Sequence, residues 1–180
     1  LPSVAVGSTR LPGGAAAPPL RGDAVLERLV DRLARQVEHL VDRLVDDLAA
    51  VERANARLHP TPLTSALLDG CLERGVDSTA GGATYNGSGV QGVGVVDVAD
   101  SLTALDEVVY RRGLCDLDQV LAALQANFDG YGWLRGHLLG APKFGNGHRR
   151  ADANVDLVMG LFSDALARHR NTRGGAYWAG

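Results

Sequence analysis

Lysine, aromatic residues, cysteine and long apolar runs are all scarce in this 180-residue chain, and each scarcity excludes something. A single lysine, Lys143, accompanies 17 arginines, and the 18 basic side chains are outnumbered by 21 carboxylates, for a formal charge of -3. No field exists to draw in nucleic acid or an anionic membrane surface. The preference for Arg, set among many Ala, Gly, Leu and Val, reads as a coding bias without functional meaning. Cys71 and Cys115 stand 44 residues apart, with no CxxC and no histidine pair at ligand spacing. That excludes a zinc site and a disulfide framework and fits a reducing cytoplasm. No stretch reaches the roughly 18 uninterrupted apolar residues of a membrane span, and residues 1–20 lack the basic-then-apolar order of an export signal. With 46% hydrophobic and 22% charged residues, the composition is that of one soluble globular unit. The chain begins with Leu and stops on Ala179-Gly180 after an aromatic pair, so both ends are expected to have been cut from something longer.

Residues 1–22 hold four of the seven prolines and no apolar period, which predicts an irregular exposed arm. Residues 23–180 are expected to form the helical body. Asp23 offers a helix cap, and apolar residues at 26, 30, 33, 37, 40, 44, 48 and 51 predict one helical stripe running to about Leu58. Charged residues, among them Asp31 and Arg35 at i,i+4 spacing, occupy the opposite face. The near-heptad stripe suits packing on a domain or a coiled coil. Thr61-Pro62 restarts a helix that should end near Gly75, and a glycine-rich loop should lead into a strand at 93–98. Asp100 is read as the cap of a helix through Tyr110. Asp116 with Gln119 forms a capping box for a helix to about Asn127. Residues 131–139 give another short helix, 141–150 a loop, and 152–169 a final helix.

Gly87, Gly89 and Gly92 match the GxGxxG spacing, but the flanks are reversed. A dinucleotide site needs an apolar strand before the first glycine and a helix at the third, whereas here a polar stretch precedes and VGVVDV follows. A kinase glycine loop fails as well, because the only lysine lies about 50 residues on. Asn86-Gly87-Ser88 is a glycosylation sequon with no meaning in a chain lacking an export signal. His39, His59, His137, His148 and His169 are scattered, and surface or helix-end roles are expected for each.

One stretch carries more, TPLTSALLDGCLERGVDSTAGGATYNGSGVQGVGVVDVADSLTALDEVVY, residues 61–110. It resembles the glycyl radical enzymes of the pyruvate formate-lyase type, in particular the branch containing glycerol dehydratase. In that family a P-S...D-C-I-E-K-G helix leads to a GGA-x-YN loop, a glycine-rich strand and a D-S-L-x-A helix. The similar segments here are 62–75, 81–86, 90–96 and 100–104. Downstream, LAALQANFDGY at 121–131, APKFGN at 141–146 and RGGAY at 173–177 are similar to further family motifs in the same order. Nearly all of residues 24–178 are covered. Departures fall at Gly147-His148, where an acidic pair is usual, at Thr84, where a basic residue is frequent, and at Asp106, where lysine is frequent. They bear on the substrate rather than on the family.

The resemblance implies a mainly α chain with a glycine-rich loop and a short strand, forming part of a larger α/β fold with a ten-stranded barrel. It implies a lyase, acyltransferase or dehydratase of the formate acetyltransferase or glycerol dehydratase type, anaerobic and cytoplasmic, acting on a small hydroxylated or carboxylated compound. Its protein glycyl radical is installed by a radical S-adenosylmethionine activating enzyme, and the radical generates a cysteine thiyl that abstracts hydrogen from substrate. Expected partners are the remainder of the parent chain, the activating enzyme and a second copy of the full protein. Gly70-Cys71-Leu72-Glu73 imitates the thiyl motif, but the GGATYN that follows aligns it with the later D-C-I-E-K-G helix. Leu63, Leu67 and Cys71 at helical spacing make the cysteine a packing residue. Cys115, just before the Asp116 cap, has the same reading. The radical motif R-V-x-G-Y is absent, since Gly130-Tyr131 belongs to ANFDGY.

No catalytic residue, cofactor site or metal site is therefore expected in this segment, which should be inert alone. The residues expected closest to substrate are Gly81, Gly82, Tyr85 and Asn86, with the paired glycines required for conformation. The competing reading is a free-standing helical scaffold or interaction protein descended from such an enzyme.

Overall fold

A computed structural model describes residues 23–180, so the expected arm at 1–22 lies outside the described residues. Helix α1 spans Asp23–Leu58. Its buried stripe runs through Val37, Val41, Val45 and Leu48, which meet Phe162, Ala165, Leu166 and Tyr177, while Leu29 and Leu33 meet Ala99, Leu102 and Val158. The stripe thus departs from the expected one, taking in Leu29, Val41 and Val45 and leaving out Leu40 and Val51. Leu40 and Val51 are 62% and 55% exposed, whereas Val41 is 3% exposed. A straight helix at 3.6 residues per turn drifts away from a seven-residue repeat, and α1 follows its own period because it packs on a domain rather than on a coiled-coil partner.

The segment 62–75 is two short helices instead of one, α2 (Pro62–Ala66) and α3 (Cys71–Arg74). Gly70 breaks them with φ +94, a left-handed conformation in which a Cβ would lie 2.6 Å from the Thr84 hydroxyl oxygen. The shared stripe is lost as a result. Leu63 and Leu67 are 78% and 80% exposed while Cys71 is 3% exposed, so the cysteine is buried without them. Thr61 does not cap α2 with its side chain; its hydroxyl turns to Ser78 instead, at 2.9 Å.

The strand also lies elsewhere than expected. β1 is Gly87–Val90, and Val95, Val96 and Val98 sit in helix α4, Val95–Leu105. Burial of Ala99 and Leu102 against α7, with Val95 packed beside them, outweighs the β preference of a valine-rich run. Asp100 is therefore inside α4 rather than at its cap, and its carboxylate accepts from the Phe144 amide at 2.8 Å, tying the 141–148 loop to the helix. The end of α4 widens into π-helical turns over Asp106–Arg111. There Asp106 pairs with Arg111 at 2.9 Å and with Arg150 at 3.1 Å, which gives an acidic residue at that position a local use.

Asp116 and Gln119 form the expected capping box on α5, Leu117–Gln125. Helix α6 is Gly132–Leu139 and α7 is Arg149–Ala167. Cys115, Val108, Val120, Ala123 and Leu134 form a core between the end of α4, α5 and α6, in agreement with a packing role for Cys115. β2, Ala176–Ala179, pairs parallel with β1, Gly87 opposite Ala176 and Val90 opposite Ala179. All of α4 to α7 forms the crossover between these strands.

Candidate functional site

The glycine-rich loop at 81–86 is held by backbone hydrogen bonds and by the Arg74 side chain. The Gly82 amide donates to the Asp77 carbonyl at 3.0 Å and the Thr84 amide to the Asp69 carbonyl at 2.8 Å. Arg74 donates through Nη1 to the carbonyls of Gly82 and Ala83, at 2.9 and 3.1 Å. Gly81 has φ +95, and a Cβ on Gly82 would stand 1.9 Å from the Val76 carbonyl oxygen. Both glycines are conformational requirements, one for the turn and the other for close approach.

Beneath the loop, the Asp77 carboxylate is a clasp. It accepts from the Thr79 hydroxyl at 2.6 Å and the Thr79 amide at 2.9 Å, from Ser65 Oγ at 2.8 Å and from the Thr61 amide at 2.9 Å. The Thr79 hydrogen bonds lead in holding this carboxyl at about 2, against an ordinary 3.8, with further help from Ser65 and Thr61. Beyond the loop, Tyr85 is 91% exposed. Asn86 turns inward and donates through Nδ2 to the Arg173 carbonyl at 3.4 Å, and its Oδ1 is buried with no donor among the described residues.

β1 and β2 are joined by a polar network that sequence reasoning missed. Glu52 of α1 accepts through Oε1 from Ser88 Oγ at 2.6 Å and pairs there with Arg173 Nη1 at 3.1 Å. Its Oε2 accepts from the Thr172 amide at 2.9 Å and the Thr172 hydroxyl at 2.7 Å. Arg173 Nη2 reaches the Gly87 carbonyl and Ser88 Oγ, both at 3.2 Å. Asn171 donates to Ser88 Oγ at 3.2 Å and accepts from the amides of Arg173 and Gly175, at 3.0 and 2.7 Å. Burial pushes the Glu52 carboxyl up, but the Ser88 and Thr172 hydrogen bonds and the Arg173 charge together bring it below its ordinary value. Tyr177 beside the network is pushed up by burial and by the Glu52 charge, with Arg173 opposing. The signal for this network was in the sequence: Glu52 falls on the apolar stripe after Val41, Val45 and Leu48 at helical spacing, where a carboxylate requires partners.

The arrangement ties α1, β1 and the segment before β2 together. Gly87 and Gly89 lie within β1, so the GxGxxG spacing does not open a helix. No cluster of three or more His, Cys, Asp or Glu among the described residues is placed to hold a metal. No helix among them is long and apolar enough to cross a membrane.

A model of the pyruvate formate lyase-like family matches residues 12–180. The chain belongs to this family. A crystal structure of a glycyl radical enzyme from Archaeoglobus fulgidus superposes with a TM-score of 0.82 at 40% identity, over 86% of this chain and 20% of that one. The glycerol-bound B12-independent glycerol dehydratase of Clostridium butyricum gives 0.82 at 27% identity with the same coverage. Trans-4-hydroxy-L-proline dehydratase of Clostridioides difficile is 33% identical over 152 residues, 84% of this chain and 19% of that protein. The chain thus spans about a fifth of the length of these relatives.

Proposed function

We propose that this chain is a scaffolding segment of a larger glycyl radical dehydratase that acts on a small hydroxylated or carboxylated compound. The 33% identity to a hydroxyproline dehydratase over 84% of the chain carries the reading, and the glycerol dehydratase likeness supports the dehydratase branch over an acyltransferase. In such an enzyme the activating partner takes a hydrogen atom from a backbone glycine, and the resulting radical generates the thiyl that reacts with substrate. Neither group is offered here. Cys71 is buried within a short helix, and Gly130 lies in the turn after α5 with φ +75. The segment's contribution is to set two adjacent parallel strands and a rigid loop. Tyr85, projecting from that loop, is the side chain we place at the border of the active site, with Gly81, Gly82 and Asn86 fixing its base. The full enzyme is cytoplasmic, oxygen-sensitive and homodimeric.

The test is anaerobic treatment of the 180-residue chain with a glycyl radical activating enzyme and S-adenosylmethionine, followed by electron paramagnetic resonance. No glycyl doublet and no turnover of glycerol or hydroxyproline is the expected outcome; a doublet would overturn the assignment of the radical glycine to another part of the enzyme, and turnover would overturn that of the thiyl cysteine. Sequencing the flanking coding region separates this reading from a free-standing scaffold. An open frame with a cysteine loop upstream and a radical glycine downstream is expected, and bounding stop codons would favour the scaffold.

A further inference from the structure

Asn-Gly occurs twice in the chain, at Asn86-Gly87 and at Asn146-Gly147, and the fold treats the two pairs in opposite ways. In this dipeptide the backbone amide that follows an asparagine can attack its side chain readily, because glycine has no Cβ to obstruct the approach and its backbone turns freely. At the first pair both partners are held. Asn86 Nδ2 donates to the Arg173 carbonyl at 3.4 Å, and its Oδ1 is buried. Gly87 lies inside β1 opposite Ala176, and its carbonyl accepts from Arg173 Nη2 at 3.2 Å. The Trp178 ring covers it so closely that a Cβ would stand 2.0 Å from Cη2.

The second pair has none of these restraints. Asn146 and Gly147 are exposed, in the loop between α6 and α7 and outside any helix or strand. Among the described residues, the Asn146 side chain and the Gly147 amide take part in no hydrogen bond, and a Cβ on Gly147 would meet nothing within 4 Å. The loop is tied down on either side. Lys143 Nζ donates to the carbonyls of Leu138 and Ala141, at 3.2 and 2.7 Å, the Phe144 amide donates to Asp100 at 2.8 Å, and α7 begins at Arg149. The slack is therefore confined to residues 145–148, which are restrained only by a 3.4 Å hydrogen bond from the Gly145 amide to Asp152.

We propose that Asn146 is a site of spontaneous deamidation selected by the fold. The Gly147 nitrogen attacks Asn146 Cγ; the N–Cγ bond forms, the Cγ–Nδ2 bond breaks, and the Gly147 amide proton leaves with Nδ2 as ammonia. Water then opens the resulting succinimide at either carbonyl, leaving aspartate or isoaspartate. Water is the only co-reactant, and nothing is oxidised or reduced. Each event adds one negative charge to a chain whose formal charge is -3. Isoaspartate also lengthens the backbone by one carbon within the stretch that the Gly145–Asp152 hydrogen bond spans. The modification loosens the loop that joins α6 to α7, and it stands independently of the enzyme assignment.

The test is incubation of the folded 180-residue chain at mildly alkaline pH, followed by trypsin digestion, mass spectrometry and labelling with an isoaspartyl methyltransferase. Cleavage after Lys143 and Arg149 isolates Asn146 in residues 144–149, while Asn86 falls in residues 75–111. Conversion at Asn146 should outpace that at Asn86 by about tenfold or more, since Gly87 must first leave its strand by local opening. In urea the two rates should converge, because the dipeptides are the same. Gly147→Ala should slow the reaction at Asn146 several-fold, folded or unfolded, by placing a methyl group beside the attacking nitrogen. Equal rates in the folded chain would overturn the proposal. A difference of the same size persisting in urea would overturn it too, by assigning the selectivity to neighbouring residues in the sequence rather than to the fold.

Discussion

Gly82 and Arg173 are the single residues on which the strand-and-loop arrangement depends most. A methyl group on Gly82 would overlap the Val76 carbonyl, which is backbone and cannot step aside. Gly82→Ala should therefore destabilise the chain by about 1–3 kcal/mol, measured by urea unfolding. Gly136, inside α6 with nothing within 4 Å of its would-be Cβ, is the control, and Gly136→Ala should stabilise by about 0.5–1 kcal/mol. Equal effects at the two positions would remove the close-approach argument. Arg173 is 18% exposed and its partner Glu52 is 11% exposed. Arg173→Ala leaves Glu52 with its hydroxyl and amide donors but no counter-charge, and should cost about 2–3 kcal/mol. Arg173→Lys should recover only part of this, because one ammonium cannot match the planar fork that meets Glu52, Ser88 and the Gly87 carbonyl together. Full recovery by lysine would reduce the network to simple charge pairing.

At the level of elements, the clasp under the glycine loop makes stability depend on acid. Asp77 titrates near 2 in the folded chain against 3.8 ordinarily, so between these values the unfolded state binds more protons. The contribution is present above about pH 4 and is lost as pH falls toward 2, and Glu52, also lowered, acts in the same direction. Thermal melts at pH 5, 4 and 3 should show this decline, and Asp77→Asn should flatten it; an unchanged slope in the variant would show that the acid sensitivity lies elsewhere. The same elements show what could be read in the sequence. Helix α1 and the capping box of Asp116 and Gln119 were legible because periodicity and capping are local signals. β1 was not, because Gly-Ser-Gly-Val has little strand preference of its own. Its pairing depends on Arg173 and Asn171, more than 80 residues away. The break at Gly70 was hidden for a related reason, since its left-handed turn is dictated by the loop that returns to Thr84. For the candidate site, the glycine requirement at 81 and 82 was legible, whereas the inward turn of Asn86 to the Arg173 carbonyl depends on tertiary contact.

On the scale of the whole molecule, α1, α4 and α7 form a packed helical frame, and the parallel strand pair at its side is small for a sheet of that type. Parallel strands are ordinarily covered on both faces, yet Trp178 of β2 is 54% exposed, and Tyr85 beside β1 is more exposed still. Both features fit a frame that is completed by more protein, consistent with a chain that spans about a fifth of its relatives' length. The most direct measurement is a segment exchange, in which the part of this chain that superposes on the Clostridium butyricum glycerol dehydratase replaces the equivalent stretch of that enzyme. After anaerobic activation, the folded chimera should show a glycyl radical doublet and dehydrate glycerol, with losses confined to contacts between this segment and its new host. A chimera that folds and acquires the glycyl radical yet turns over neither glycerol nor any related hydroxylated compound would contradict the role of this chain as a dehydratase scaffold.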